Sequence, residues 1–360
     1  MRVAFITRST LFKVHGGDTV QVMETAKHLK TLGVSISVIL TNEKINYSEF
    51  DLLHFFNITR PSDILFHINK SDKPFVLSPI LIDYSEYDKS YRVGLSGFIF
   101  RRLSASGCEY IKTISRWIMN KDKLKSKSYL WKGHKKSGKE IIKKAYLLLP
   151  NSLSEIKQLA KIYSEEIPYI IVPNGIDPFL FKTSDSFTKE SNLVICVARI
   201  EGIKNQLTLI KALNGTEFTL LIIGNPAPNQ QHYYRKCRQI ALKNIQFIGW
   251  LSHEDLKTYY QKAKVHVLPS WFETCGLSSL EAAAMGCNIV ITEKGFTRDY
   301  FENDAFYCQP DDSASIYNAV KMAAESKSNK TLQEKVLKNF TWKNAAAATL
   351  EAYKKAINNQ

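Results

Sequence analysis

Nowhere in the 360 residues is there an unbroken apolar stretch of the roughly 18 residues that would suggest a membrane-spanning helix. The opening MRVAFITRST has an apolar run too short for the core of a secretory signal and reads instead as a first β-strand. The expectation is a cytoplasmic protein. Cysteine is sparse: Cys108, Cys196, Cys237, Cys275, Cys287 and Cys308 stand singly, with no Cys-x-x-Cys spacing. Isolated thiols in a reducing compartment fit that pattern better than disulfides or a thiolate metal site. No two aspartates are spaced as Asp-x-Asp, a pair that would hold Mg²⁺ or Mn²⁺, so no metal and no cofactor are expected. Gly-x-Gly-x-x-Gly is missing too, which removes the main support for a dinucleotide oxidoreductase. Negative charge is in short supply, with 34 acidic residues against 49 Lys and Arg and a net charge of +15. Most of the excess lies in residues 101–145, which carry fourteen basic and three acidic side chains, or 14 − 3 = +11.

What is present is the composition of a globular chain, 44% hydrophobic and 23% charged, long enough for two domains. Short β-branched runs alternate with helical patterns in both halves, the signature of parallel sheets wrapped by helices. The first half has strand patterns at 2–6, 35–40, 51–56 and 75–79, with a glycine-bearing loop, KVHGGD, leading into a helix that ends on Gly33, and AYLLLPNS (145–152) closes it with an apolar strand followed by a Ser-capped helix. A turn-rich joint with two prolines and an Asn-Gly pair, IVPNGIDPFLFK, occupies 171–182. The rhythm then restarts with strand patterns at 193–199, 219–224, 245–250, 264–270 and 288–293. The expected organisation is α/β: a Rossmann-like domain over 1–170, a second over 171–340, and a final helix over 341–360 returning to the first. Ligands of such sheets bind outside the carboxyl ends of the strands, so two facing sheets would form a cleft.

The stretch SWFETCGLSSLEAAAMG, 270–286, places Glu273 directly after a strand and Glu281 about one turn into a helix. Gly276 between them lets backbone pass close to a ligand, and the helix that starts there aims free N–H groups and a positive dipole end at an anion such as a phosphate. A carboxylate at Glu281 is better suited to hydroxyls, as in ribose recognition. Arg199 ends one strand pattern and Lys204 precedes the next helix, so both cations fall at the same sheet edge. Arginine bridges two oxygens and lysine acts as a point charge, and with the helix end they would neutralise a diphosphate without a metal.

Glu273 and Glu281 with seven residues between them resemble the EX7E motif of retaining GT-B glycosyltransferases, the large family four of glycogen-synthase-like enzymes, or glycosyl transferases group 1. ARIEGIKNQLTLIKAL (198–213) resembles that family's donor-phosphate segment, and VPNGID (172–177), LLIIGN (220–225) and 247–286 follow in its order and spacing. The resemblance covers nearly all of 170–295 and implies the GT-B fold, two Rossmann-like domains facing across a cleft, and transfer of a sugar from a UDP- or GDP-sugar with retention. It assigns the diphosphate to Arg199 and Lys204, the ribose to Glu281 and the transferred sugar to Glu273. Backbone amides of Cys275, Gly276 and Leu277 are assigned to sugar and phosphates, Trp250 and Leu251 to the base, and Gly224 to the donor loop. Asn225 and Cys275 depart from the usual residues of the pattern.

In the first half, Gly16 and Gly17 resemble the family's N-terminal glycine loop, which approaches the donor phosphates and the acceptor; an ordinary turn is the alternative. Where many members place a histidine near the acceptor, residues 73–91 hold none, and Asp83 is the polar candidate, with Tyr84 and Glu86 beside it. Asn57 and Arg60 either face the cleft or cap their loop. His28 and His266 read as helix-surface and strand residues. The 101–145 segment is either a solvated charged face or a contact for anionic phospholipid or a lipid-linked acceptor, with Phe98, Phe100, Trp117 and Trp131 as interfacial anchors. Nucleic acid is not expected, since no binding module is visible. The expected partners are a nucleotide-sugar and a glycan or lipid-linked acceptor, in bacterial surface polysaccharide or glycolipid synthesis on the inner face of the membrane. A nucleotide-sugar epimerase, a phosphorylase and a non-catalytic polyanion or membrane binder are the other readings.

Overall fold

The structure, a computed structural model, describes residues 1–91, 94–120, 124–182 and 188–358. Contacts divide the chain into two units, one of 1–173 with 342–360 and one of 174–341.

The first unit is a five-stranded parallel sheet: β1 (Arg2–Thr7), β2 (Ser35–Leu40), β3 (Leu52–Phe56), β4 (Phe75–Ser78) and β5 (Leu147–Leu148), in the order β2-β1-β3-β4-β5. Its central strands are buried along their length, as continuous apolar runs covered on both faces must be. The final helix, Trp342–Asn358, packs on helix Gly17–Thr31 and on β3 and β4. Its Tyr353 is fully buried, and the Oη lies 2.6 Å from His54 Nδ1; His54 Nε2 lies 2.9 Å from Ser78 Oγ. Burial drives the His54 pKa down to about 3, so this histidine is neutral and joins tail helix to sheet. The basic segment forms helices Ala105–Asn120 and Tyr129–Lys144, preceded by helix Gly94–Arg101; Lys121 to Lys123 lie outside the described residues.

The second unit is a six-stranded parallel sheet: β6 (Glu190–Val197), β7 (Thr219–Ile223), β8 (Ile245–Gly249), β9 (Ala263–Leu268), β10 (Asn288–Thr292) and β11 (Phe306–Cys308), in the order β11-β10-β9-β6-β7-β8. One side of the sheet packs on Leu280, Ala283, Met285 and Tyr300, the other on Leu209, Leu213, Ile316 and Val320. All strands run parallel, so the loops after β6, β7, β8, β9 and β10 collect at one edge. The candidate residues of this half stand in those loops.

Candidate functional site

Residues after β6 and β9 meet at the carboxyl edge of the second sheet. Lys204 closes the 3₁₀ turn Gly202–Lys204, and its Nζ donates to Glu273 Oε1 at 2.5 Å. The Glu273 side chain is 8% exposed and that of Lys204 20%, so this is an ion pair largely withdrawn from water. The next residue, Asn205, holds the turn in a left-handed conformation (φ 60°), and its Nδ2 donates to the carbonyls of Pro269 and Pro310 at 3.1 and 2.6 Å. Glu273 is fixed through its backbone: its N–H donates to Lys294 O at 3.0 Å and its carbonyl accepts from Phe296 N at 2.9 Å. Gly295 makes this approach feasible. With φ 108°, a Cβ there would stand 2.0 Å from the Glu273 carbonyl oxygen.

Arg199 follows β6 and its Nη2 donates to Glu201 Oε1 at 2.8 Å, with about a third of the arginine side chain exposed. Thus each of the two cations is paired with a carboxylate, in separate pairs.

Gly276 caps helix Leu277–Ala284 with φ 68°, which favours glycine on conformational grounds, and a Cβ would reach Ile291 Cδ1 at 3.0 Å. Of the first-turn N–H groups of this helix, that of Ser279 donates to Gly276 O at 2.8 Å, and those of Leu277 and Ser278 lack intrahelical acceptors by geometry. Cys275, just before the cap, is buried, and its thiol accepts from Asn174 Nδ2 at 3.4 Å. Asn174 Oδ1 is itself buried without a hydrogen-bond partner. One turn into the helix, Glu281 Oε2 accepts from Tyr260 Oη at 2.9 Å, and His253 Nε2 stands 3.8 Å from Oε1. Burial raises the Glu281 pKa against the opposing effects of His253 and Tyr260. Burial first, then the Glu281 charge, pushes the Tyr260 phenol well above its ordinary value, so it stays a donor.

The loops after β7 and β8 are joined by Asn225, whose Oδ1 accepts from Trp250 N at 3.2 Å, while Gly224 N donates to Gly249 O at 2.7 Å. Gly224 has φ 140°, and a Cβ would fall 2.1 Å from Ala198 O. The departure at Asn225 therefore has a local role: it positions the loop that carries Trp250, which is 71% exposed. Leu251 packs partly against the core.

In the first unit, Gly16 is extended (φ −153°, ψ −178°) and caps helix Gly17–Thr31, its N–H donating to Thr19 Oγ1 at 3.3 Å. The glycine loop is shaped by Arg8, which takes Asp18 in a two-pronged grip at 2.6 and 3.0 Å and donates to Val14 O at 2.6 Å. Asp83 Oδ1 accepts from Ser85 N at 2.9 Å, capping the short helix Ser85–Tyr91. Asn57 adopts φ 72° and its Oδ1 accepts from Thr59 N at 3.0 Å, a loop-capping role. Glu155, invisible as a candidate in the sequence, is fully buried, accepting from Leu81 N at 2.6 Å and Asn151 N at 2.5 Å; burial outweighs those bonds and raises its pKa to about 7.

Lys204 and Glu273 are in contact, and Cys275, Gly276 and Leu277 connect them to the helix of Glu281. Tyr260, His253, Glu201 and Asn174 complete these pairings; no spacing rule points to them, because each is set by tertiary packing. All six cysteines are buried free thiols. Among the described residues, no group of three or more His, Cys, Asp and Glu is placed to share a metal ion, and no helix is long and apolar enough to cross a membrane.

Residues 181–339 match the family described as glycosyl transferases group 1. The chain is 25% identical over 230 residues to glycogen synthase of Mycobacterium tuberculosis, an alignment covering 59% of this chain and 55% of that protein, so the chain spans about half the length of this curated relative. Sucrose-phosphate synthase from Thermosynechococcus elongatus superposes with a TM-score of 0.75 at 16% identity, covering all of both chains. Anabaena HepE in complex with UDP and glucose does so with a TM-score of 0.70 at 14% identity, over 98% of this chain and 99% of that one. At these identities the likeness is one of fold: two α/β units, each on a parallel sheet, in the GT-B class.

Proposed function

We propose that the chain is a retaining glycosyltransferase that moves a sugar from a UDP- or GDP-sugar to a glycan or lipid-linked acceptor without a metal. The single observation that carries this is the buried Lys204–Glu273 pair at the carboxyl edge of the second sheet, beside a helix N-terminus and inside the stretch matching group 1 glycosyl transferases. HepE, of the same fold, is described with UDP and glucose, which supports a nucleotide-sugar donor.

On this reading Lys204 and Arg199 present positive charge to the departing diphosphate, and the first-turn amides of helix Leu277–Ala284 add preorganised donors. Each cation is held by a carboxylate, Lys204 by Glu273 and Arg199 by Glu201, so the site is electrically balanced before donor arrives. Binding a diphosphate draws Lys204 toward phosphate oxygens and leaves Glu273 to accept from hydroxyls of the transferred sugar. Glu281 takes the ribose hydroxyls, with Tyr260 orienting its carboxylate. Trp250 lies beside the base. As the glycosidic bond to the diphosphate breaks, its electron pair goes to the leaving phosphate oxygen. The acceptor hydroxyl attacks from the same face, and its proton passes to that phosphate. Asp83 is assigned a role on the acceptor side. Bacterial surface polysaccharide or glycolipid synthesis at the inner face of the membrane is the assigned setting, through the basic 101–145 segment.

The test is nucleotide release from UDP-, GDP- and ADP-sugars with a lipid-linked acceptor pool. Acceptor-dependent release from one of them, lost in Glu273→Ala, is expected. Conversion of a nucleotide-sugar with no acceptor present would indicate an epimerase instead, and a requirement for free phosphate a phosphorylase.

A further inference from the structure

Glu155 is the third residue of helix Leu153–Tyr163, and its N–H donates at 3.2 Å to the Ser152 Oγ that caps the helix. A glutamate at this position ordinarily turns back to the N–H of the capping residue itself. Here both oxygens go elsewhere. Oε2 passes over the cap to Asn151 N at 2.5 Å, and Oε1 leaves the helix for Leu81 N at 2.6 Å, 74 residues earlier in the chain. Leu81 follows β4 and Asn151 follows β5, so one carboxylate ties two neighbouring loops at the carboxyl edge of the first sheet, where ligands of such sheets bind. The Asn151 side chain in turn pairs reciprocally with that of Gln21 at 3.0 and 3.3 Å, and Gln21 belongs to helix Gly17–Thr31, which the glycine loop opens.

The loop after β4 is strained. Ile80 has φ 46°, a left-handed conformation that a β-branched residue adopts only where its surroundings force it. The chain is fastened on both sides of it: Ser78 O accepts from Asn57 N at 2.9 Å, Pro79 O from Ile58 N at 2.8 Å, and Leu81 N is taken by Glu155. Asp83, the acceptor-side candidate, stands two residues beyond Leu81. Glu155 is wholly buried and faces two main-chain N–H groups, with no cation beside it among the described residues. Burying such a carboxylate disfavours the fold, yet only a carboxylate offers an acceptor oxygen to both N–H groups; a glutamine has one. Strain and buried charge of this kind collect where function needs a fixed shape. We propose that Glu155 is a positioning residue for the acceptor, holding 79–83, and Asp83 with it, in the shape the acceptor needs at this edge. The acceptor role rests on the proposed transferase activity; the hold on 79–83 does not.

The experiment compares the full wild-type chain with Glu155→Gln, which keeps the shape of the side chain and loses one acceptor. Hydrogen exchange read by mass spectrometry follows 79–83, with 264–281 of the second unit as the control. Nucleotide release from UDP-, GDP- and ADP-sugars is measured over a range of concentrations of a lipid-linked acceptor pool. The rise in melting temperature on adding UDP reports separately on the donor side and on folding. In Glu155→Gln, exchange at 79–83 should quicken about tenfold or more, as for a lost bond to a charged group, with the control and the UDP response unchanged. The KM for the acceptor pool should rise about tenfold while the donor KM stays within about twofold. Glu155→Asp, with both oxygens but one methylene less, should fall between the two; if Glu155→Gln fails to fold, Glu155→Asp stands in and must quicken exchange at 79–83 by about threefold or more. Unchanged exchange at 79–83 beside normal release overturns the positioning role alone, as does a donor KM that rises as much as that of the acceptor pool. No release by the wild type from any of the three donors overturns the acceptor role together with the transferase reading, and the exchange measurement then decides the hold on 79–83 by itself.

Discussion

Replacing Lys204 by methionine should destabilise the second unit through the carboxylate it leaves behind. Lys204 Nζ and Glu273 Oε1 are 2.5 Å apart, and the glutamate side chain is 8% exposed. With charge centres about 4 Å apart and an effective dielectric near 20, the attraction is about 4 kcal/mol. Breaking a buried pair by removing one partner costs about 3–5 kcal/mol; because the lysine is partly wet, the lower end, about 3 kcal/mol, applies here. Glu273→Gln should cost less, about 1–2 kcal/mol, because the freed lysine is exposed enough to reach solvent. The double variant Lys204→Met/Glu273→Gln removes both charges and should lie near the milder single, giving a coupling energy of about 2–3 kcal/mol. The assay is urea unfolding followed by tryptophan fluorescence. Trp271, buried, its N–H donating to Ile203 O at 2.9 Å, sits on the turn that carries Lys204 and reports on this unit. All three variants should lose turnover, because on this account both side chains act on the donor. Strictly additive losses, or Lys204→Met as stable as wild type, would refute the reasoning.

Gly295→Ala should cost about 2–4 kcal/mol, since the added Cβ meets the Glu273 carbonyl oxygen at 2.0 Å on a backbone with φ 108°; a lowered urea midpoint and lost nucleotide release are expected. Tyr260→Phe removes the 2.9 Å bond to Glu281 and should raise the donor KM more than it lowers kcat, by about tenfold for a bond to a charged group. Glu155 titrates near 7 in the folded chain against about 4.5 in the unfolded one, so its contribution to stability is present below 4.5 and fades as pH rises through 7. Glu155→Gln should therefore gain about 3 kcal/mol relative to wild type between pH 4.5 and 8, checked by urea midpoints at both. His54 runs the other way: with its folded pKa near 3, it supports the fold above 6.5 and withdraws that support as pH falls.

Strands were legible where apolar runs are long and β-branched. LVICVAR and NIVITE fall on β6 and β10 because a strand covered on both faces must be apolar throughout. AYLLLPNS overstates its strand, since only Leu147 and Leu148 pair in register with β4, although Leu149 N still donates to Leu77 O at 2.8 Å and Pro150 O accepts from Val172 N at 2.8 Å. Phe306–Cys308 escaped notice because three residues carry no period. The two glutamates were legible because they lie within one strand-loop-helix passage, whose local geometry fixes their positions. Their partners were not. Tyr260 reaches Glu281 from another helix, Glu201 takes Arg199, and Asn174 reaches Cys275 across 101 residues. In the 101–145 segment charge hid the helices: Arg116 and Trp117 share a pocket with Arg60 only because helices Ala105–Asn120 and Pro61–Ile68 both pack on helix Tyr129–Lys144, which no run of lysines reveals.

The central claim is that positive charge at the edge of the second sheet grips a nucleoside diphosphate, and calorimetric titration of UDP and GDP tests it most directly. The account predicts that one of them binds the wild-type chain and that Lys204→Ala and Arg199→Ala each weaken that binding about tenfold or more. Equal binding by wild type and both variants, or no binding of either nucleotide, would contradict it.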